Sequence, residues 1–377
     1  MSLVFKLARR NLFHDRLRFI ATIIGVVFSI VLVTVQMGLF LSFDRTVTTM
    51  IDHADADLWI VPRGTKCFED PSLLDERERF RALSVEGVRE ATPVAIGFAQ
   101  WRMRTGNTTP VFIVASDVRR NGLHPWNLVA GNLDDLSIPG AVAIDRSYFN
   151  RLGSKGLGDT AEIRDQKAEV TAVTSGIRSF TTTPYVFTTL DRGRDYVGMM
   201  PSKATYFLVH LTPGANVEVV RRRLNAALTD AEVLTPEEFA GRSRSFWLFG
   251  TGAGAALFAG ALLGVIVGTV IIAQTLYSST KDHLNEFATL RAIGSSNLYI
   301  NKIIISQAVL SAVIGFALAA AIGLVVVGMT TKTALPIVMT PELTGGLFLL
   351  TILMCVTSSI AAVVQVVRID PARVFRQ

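Results

Sequence analysis

Charged side chains are scarce in this chain of 377 residues: they make up 18% of it, whereas half of the residues are hydrophobic. In soluble proteins about a quarter of all residues are charged, so a membrane protein is the first class to consider. The net charge of +6 is not pooled in one patch, since the basic residues cluster at the ends of apolar runs. That distribution argues against nucleic acid as a partner.

Cysteine is also scarce, with Cys67 in a polar region and Cys355 in an apolar run. These two cysteines could not meet in one disulfide, and neither has the spacing of a metal or redox site. Catalytic motifs are missing as well: there is no His-Glu-x-x-His, no Gly-x-Ser-x-Gly and no phosphate-loop lysine. His53, His124 and His210 are scattered. The sequence therefore predicts a non-catalytic chain without a metal site.

Long hydrophobic runs are what the sequence has instead. Four runs contain no charged side chain over about 25 residues or more, above the ~20 that a helix needs to cross ~30 Å of hydrocarbon. The predicted spans are residues 19–43, 245–280, 303–331 and 343–367. The first is longer than a signal-peptide core, and no small-residue cleavage pattern follows it, so we expect a retained helix. The second would reach ~54 Å as one helix and would extend beyond the bilayer as a stalk.

The flanks of the spans indicate the orientation. Basic residues exceed acidic ones before the first span, between the second and third spans, and after the last span. Positively charged loops stay in the cytoplasm. We therefore expect the segment 1–18, the loop 281–302 and the tail 368–377 to be cytoplasmic. The insert 44–244 would then lie outside.

The interiors of the spans lack Asp, Glu, Lys, Arg and His. Ion-coupled carriers and proton relays usually keep such groups, because a charge within the bilayer is retained only for function. Amides such as Gln36, Gln274 and Gln307 are typical of interhelical hydrogen bonding instead. The energy for any transport must therefore come from a partner.

Small residues recur on two of the spans. Gly260, Gly264 and Gly268 repeat every four residues, and Gly315 and Gly323 form a shorter series. Such a stripe lets another helix backbone approach closely. It is consistent with a dimer interface and equally with packing inside one chain.

The insert of about 200 residues has the pattern of an α+β domain. Strands are predicted at 56–61, 94–104, 111–115, 169–173, 185–189 and 205–211, and helices at 72–83 and 215–229. The order strand, helix, strand over 205–234 resembles one unit of a porter-type module. The middle, 115–202, is richer in strands, and we expect it to form its own lobe. The predicted fold class is an α-helical membrane protein with four transmembrane helices and a large α+β domain between helices 1 and 2.

The loop after the second span can form a short amphipathic helix over 281–293, with Leu284, Phe287 and Leu290 on one side. Gly294 can end this helix in a left-handed cap, and Ser295 or Ser296 can begin the next one. Such a helix fits contact with a cytoplasmic subunit, or a position on the membrane surface without a partner. The basic N-terminal segment has the same two interpretations.

Three local motifs carry a resemblance to a known family. They are FKLARRNL at residues 5–12, TKDHLNEFATLRAIG at 280–294 and RIDPARVFR at 368–376. Together with four spans and a large first external loop, they resemble the permease subunits of MacB/FtsX-type (type VII) ABC transporters, most of all the DevC branch. The resemblance covers the whole chain. Its most specific part is the pattern Glu-x-x-x-x-Arg-Ala-x-Gly.

The resemblance implies a role for the cytoplasmic loop. The residues expected to couple to an ATPase are Lys281, Asp282, His283, Glu286, Arg291 and Gly294. The first three stand where the family usually has a basic–acidic pair. ATP and magnesium would bind the partner ATPase, and this chain would bind no cofactor.

The resemblance also implies a bacterial inner-membrane exporter that moves a lipid-like or other hydrophobic substrate. Its partners would be the ATPase subunit, a second copy of this chain, membrane lipid, and a periplasmic adaptor with an outer-membrane duct. Two alternatives stay open: an FtsX-like signalling subunit that controls a cell-wall hydrolase, and LolC/LolE-like lipoprotein extraction.

Overall fold

The computed structural model describes residues 3–14, 16–70, 72–282, 284–331, 333 and 335–367. The chain divides into two compact units. The helical unit comprises Met1–Leu41, Ala255–Thr331 and Pro336–Gln377, and the sheet unit comprises Ser42–Gly254 and Lys332–Leu335.

Helices and strands occupy most of the described residues. The helices are α1 (Leu3–His14), α2 (Arg16–Asp52), α3 (Glu76–Leu83), α4 (Phe149–Leu152), α5 (Leu190–Val197), α6 (Val217–Ala227), α7 (Pro236–Ser245), α8 (Ala253–Asp282), α9 (Leu284–Ala292), α10 (Asn297–Thr330) and α11 (Pro341–Val367). The strands are β1 (Leu58–Pro62), β2 (Leu74–Asp75), β3 (Val88–Arg102), β4 (Thr108–Ser116), β5 (Leu128–Ala130), β6 (Ala141–Asp145), β7 (Thr160–Ile163), β8 (Gln166–Thr174), β9 (Tyr185–Thr189), β10 (Lys203–Ala204), β11 (Tyr206–Leu211) and β12 (Ala231–Leu234).

Four helices among the described residues are long and apolar enough to cross a membrane. They cover Phe19–Asp52, Ala253–Lys281, Leu298–Thr330 and Pro341–Ile360. Their number and order, with a sheet-bearing region between the first and the second, confirm the predicted fold class. The first helix continues to Asp52, past the predicted end at residue 43.

The helical unit is packed around one face of α10. Ile300, Ile304, Ala308, Ala312 and Ala319 follow helical spacing on that face, and each is at most 1% exposed. The side chains buried with them are Val26 and Ile30 of α2, Ile272 and Leu276 of α8, and Met354 and Cys355 of α11. The alanines let helix backbones approach closely, which is how helices associate where lipid tails are as apolar as the side chains.

The second span is not one uninterrupted helix, and on this point the prediction from the sequence is wrong. Helix α7 ends at Ser245, a π-helical turn follows at Phe246–Gly250, and α8 begins only at Ala253. Gly252 has a φ of +77°, which breaks the helix. The 30 described residues of α8 span about 45 Å.

The sheet unit is built on one ten-stranded sheet in the order β12-β1-β11-β3-β4-β9-β6-β8-β5, with β7 paired to β3 and β8. Its first part is antiparallel and carries α3 and α6 on one face. Val220 and Leu224 of α6 pack there against Ile60 and Phe207 of the sheet. The Asn216 side chain accepts hydrogen bonds from the N–H groups of Glu218 and Val219, which begins α6.

The other part of the sheet contains two parallel pairs, β4 with β9 and β6 with β8. Helix α5 covers it closely. A Cβ on Gly193 would lie 2.1 Å from Cβ of Ala115, so only glycine fits there. The strand-rich middle, predicted as its own lobe, belongs to the same sheet, although it has a separate cluster of buried side chains around Trp101, Ile113 and Tyr196.

Candidate coupling elements

The loop that follows the second span contains most of the residues expected to contact an ATPase. Lys281 is exposed in the last turn of α8, and Asp282 is the last residue of that helix. His283 lies outside the described residues. The predicted helix over 281–293 includes the last two described residues of α8 and all of α9, which is described from Leu284.

Helix α9 has one buried face. Phe287 and Ala288 are each 2% exposed, and Leu290 packs against the same cluster, which includes Ala8 of α1 and Ile300 of α10. Glu286 is exposed and Arg291 is half-buried. Helix α9 is thus packed on other helices of its unit and presents Glu286 on the outside.

The end of α9 has the predicted left-handed cap. Gly294 has a φ of +102°, the N–H of Gly294 donates to the carbonyl of Arg291, and the N–H of Ser295 donates to the carbonyl of Leu290, both at 3.0 Å. The Ser296 hydroxyl then accepts from the N–H of Tyr299 and begins α10. The turn between α9 and α10 is therefore held by cap hydrogen bonds at both of its ends.

The glycine stripe of α8 packs against α2 of the same chain. A Cβ would lie 2.7 Å from the Gln36 side-chain nitrogen at Gly260, 3.2 Å from Leu32 at Gly264, and 2.1 Å from the Ser29 hydroxyl at Gly268. The Ser29 hydroxyl also donates to the carbonyl of Gly264 at 2.7 Å. The small residues therefore let α2 and α8 approach closely.

The glycines of α10 also lie against α2. A Cβ on Gly315 would lie 2.5 Å from Val26, whereas one on Gly323 would make an ordinary contact of 3.5 Å with Thr34. All five stripe glycines thus have neighbours on α2, and the packing is tightest at Gly268.

The described residues contain no group of three or more His, Cys, Asp or Glu side chains that could hold a metal ion. Cys67 is buried, and burial raises the pKa of its thiol to about 12, so it stays protonated and unreactive.

One further group that the sequence did not single out is the Glu69 carboxyl. It is only 8% exposed and accepts a hydrogen bond from the Trp247 indole N–H at 2.9 Å. Burial raises its pKa to about 7. No local pattern could have found it, because Trp247 is 178 positions away in the chain.

Comparison with known proteins gives a consistent result. Residues 19–227 match the MacB-like periplasmic core domain, and residues 252–371 match the FtsX-like permease C-terminal domain. None of the curated proteins compared with the chain matches it.

Three solved structures of single regions or domains show some similarity to the chain. The periplasmic region of MacB from Actinobacillus actinomycetemcomitans is 11% identical, with a TM-score of 0.39 over 51% of this chain and 94% of that one. The extracellular domain of the ABC-type transporter YknZ from Gram-positive bacteria is 15% identical, with a TM-score of 0.34 over 48% and 99%. A domain of a putative permease from Porphyromonas gingivalis is 15% identical, with a TM-score of 0.34 over 49% and 91%.

The core-domain match alone covers more than half of the chain. The chain therefore belongs to the family of membrane permeases that combine a MacB-like periplasmic core domain with an FtsX-like permease domain.

Proposed function

We propose that this chain is the non-catalytic permease subunit of an ABC-type exporter, of the DevC branch, in the bacterial inner membrane with both termini in the cytoplasm. A separate ATPase subunit binds ATP and magnesium and hydrolyses ATP. The permease, as a pair of identical chains, passes the resulting motion to its periplasmic domain. That domain promotes the export of a lipid-like or other hydrophobic substrate, together with a periplasmic adaptor and an outer-membrane duct.

The observation that carries the proposal is the packing of α9 against its neighbouring helices. Its apolar face is buried against α1 and α10, and the Gly294 cap leads directly into α10. A force on the exposed side of α9 is therefore passed to α10 with little loss, because close-packed interiors deform little. The uncharged spans support the same mechanism, since they leave the energy source to a partner.

Replacing Glu286 and Arg291 together by alanine is expected to lower the stimulation of ATP hydrolysis by the permease about fivefold or more. The physical reason is the loss of both charges from the helix that the ATPase would touch. The measurement is ATP hydrolysis by the assembled complex in lipid nanodiscs, beside export of a fluorescent lipid from proteoliposomes.

A matched control is the replacement of Arg89 and Glu237 by alanine, since both are exposed charges, one basic and one acidic, in the sheet unit. These variants should keep the stimulation. Unchanged hydrolysis and export in the α9 variant would remove the assignment of α9 as the coupling helix.

Stimulated hydrolysis without export, but with activation of a cell-wall hydrolase, would favour the signalling alternative. Release of a lipoprotein instead would favour extraction.

A further inference from the structure

Trp247 lies in the π-helical turn of the sheet unit, directly before the helix break at Gly252. Its indole N–H donates to the Glu69 carboxylate oxygen Oε2 at 2.9 Å. Its ring meets the ring of Phe180 edge-on, with centroids 4.7 Å apart. Trp247 is thus held by a hydrogen bond on one side and by an aromatic contact on the other.

Glu69 is anchored to the sheet through its own loop. The neighbouring Phe68 is fully buried and packs against Trp59 of β1 and Tyr206 of β11. The Tyr206 hydroxyl donates to the carbonyl of Phe68 at 2.8 Å. The loop that carries Glu69 is therefore held against two strands of the sheet.

Phe180 is held by a loop with a strained residue. Thr182 has a φ of +63°, which is rare for a β-branched side chain and costs about 1–3 kcal/mol. The Arg151 guanidinium donates to the carbonyl of Thr182 at 2.7 Å, and the N–H of Ser179 donates to the Tyr148 hydroxyl at 2.9 Å. These contacts hold Thr182 in its strained conformation, and they also hold Phe180 against Trp247.

The break after the π-helical turn is tightly packed. The N–H of Thr251 donates to the carbonyl of Phe246 at 2.9 Å. A Cβ on Gly254 would lie 2.6 Å from the carbonyl oxygen of Leu248, so the chain passes close over the turn. The first residues of α8 therefore contact the turn that contains Trp247, and a movement of the start of α8 would displace that turn.

We propose that Trp247 is the joint through which a displacement of α8 reaches the sheet, with Glu69 as its hydrogen-bonded anchor and Phe180 as its packed stop. Glu69 and Phe180 are positioning residues, because they hold Trp247 in place. This inference rests on the proposed function. The structural alternative is that the contact only stabilises the fold, and the two differ in what happens when the indole N–H alone is removed.

The test compares Trp247→Phe with Trp101→Phe. The first variant keeps a ring against Phe180 but loses the donor to Glu69. The second loses an equivalent hydrogen bond elsewhere in the same unit, since the buried Trp101 indole donates to the carbonyl of Leu152 at 3.0 Å. The full complex with its ATPase is placed in nanodiscs. Hydrogen exchange over residues 63–70 and 175–184 is measured without nucleotide and with vanadate-trapped ADP, beside ATP hydrolysis.

In the native complex, trapping is expected to change exchange in both loops. Trp247→Phe should reduce that change about fivefold or more while hydrolysis continues, and Trp101→Phe should keep it. Glu69→Met, which removes the acceptor, should behave like Trp247→Phe, whereas Glu69→Gln should retain the response because its amide oxygen still accepts. The double variant Trp247→Phe, Glu69→Met should lose no more than either single variant.

An undiminished exchange response in Trp247→Phe would overturn the joint and leave the proposed function standing. The same loss in Trp101→Phe would also overturn it, since the effect would then be one of stability. If the native complex shows no nucleotide-dependent change in these two loops, the joint is overturned, whereas the proposed function is decided separately by stimulated hydrolysis and export.

Discussion

Replacing Glu69 by glutamine is expected to stabilise the sheet unit at pH 8 by up to about 3 kcal/mol, and to leave its stability at pH 4 nearly unchanged. Glutamine keeps the size of the side chain and an oxygen that accepts from Trp247. What it loses is the ability to ionise in a buried place. The expected increase in the free energy of unfolding therefore equals the free energy that the native protein loses by ionising a buried carboxyl group.

The direction follows from the pKa of Glu69. Burial raises it from the ordinary value of 4.5 to about 7, against the opposing effect of hydrogen bonds from Trp247, Tyr185 and Cys67. These three side-chain donors are uncharged, so they offset only part of the desolvation of the carboxylate.

Below pH 4.5 the carboxyl is protonated in the folded and the unfolded chain. Between pH 4.5 and 7 the unfolded chain releases its proton while the folded chain keeps it, so each rise in pH favours unfolding. Above pH 7 the folded chain is ionised as well, and the loss of stability is complete. The native protein should thus lose stability between pH 4.5 and 7, and the Gln variant should lack this component.

Tryptophan fluorescence during urea unfolding of the full-length protein measures this well. The chain has four tryptophans, Trp59, Trp101, Trp126 and Trp247, and all lie in the sheet unit. The signal therefore reports on that unit alone. Parallel stability curves for the native protein and the Gln variant across pH 4 to 8 would contradict the prediction.

Glu232→Gln is a control with the opposite sign. Burial pushes the pKa of Glu232 up, but the hydrogen bonds from Arg242 and from the N–H of Gly64 outweigh it, and the pKa is lowered overall. The two oxygens of Glu232 accept from Arg242 at 2.6 and 3.1 Å. A lowered pKa contributes stability at neutral pH that is lost in acid. This variant should therefore be destabilised at pH 8 and less so at pH 4.

The burial of Glu69 could not be predicted from the sequence. A glutamate between Phe68 and Asp70 in a loop looks like a surface residue, and its burial depends on strands and a helical turn that are distant in the chain. The spans and the Gly294 cap, by contrast, follow from local signals: missing charge over a long run, and a glycine followed by serines after an amphipathic stretch.

Strand β6 and helix α5 are among the elements that the sequence did not predict, each for a physical reason. Strand β6 contains two alanines and an aspartate among its five residues, and both residue types are depleted in strands. Helix α5 contains Gly193, which disfavours a helix by propensity and is nevertheless required by the close approach of Ala115. The break at Gly252 was hidden in a glycine-rich stretch, where nothing local distinguishes the glycine that takes a positive φ from those that permit packing.

Replacing Gly268 by alanine is expected to destabilise the helical unit by roughly 1–3 kcal/mol, the usual cost of overpacking a close contact. The added Cβ would lie 2.1 Å from the hydroxyl oxygen and 2.4 Å from Cβ of Ser29. The Met354 methyl at 2.8 Å can move aside. Cβ of Ser29 moves only with the backbone of α2, so the two helices must separate.

The measurement can be confined to the helical unit. Cys355 is fully buried there, whereas Cys67 lies in the sheet unit. In a Cys67→Ala background, thermal unfolding in detergent exposes Cys355 to a fluorogenic maleimide. Gly323→Ala, with an ordinary 3.5 Å contact to Thr34, and Gly328→Ala, with open space around it, should leave the midpoint unchanged or raise it, since alanine favours a helix.

Ser29→Gly removes both atoms that clash, so the double variant Ser29→Gly, Gly268→Ala should recover part of the lost stability despite losing the hydrogen bond to Gly264. If the stripe instead serves mainly as an interface between two copies, the effect of Gly268→Ala would depend on protein concentration, because dissociation precedes unfolding. A midpoint that falls equally at all concentrations, and recovers in the double variant, identifies the α2–α8 contact as the one that requires glycine.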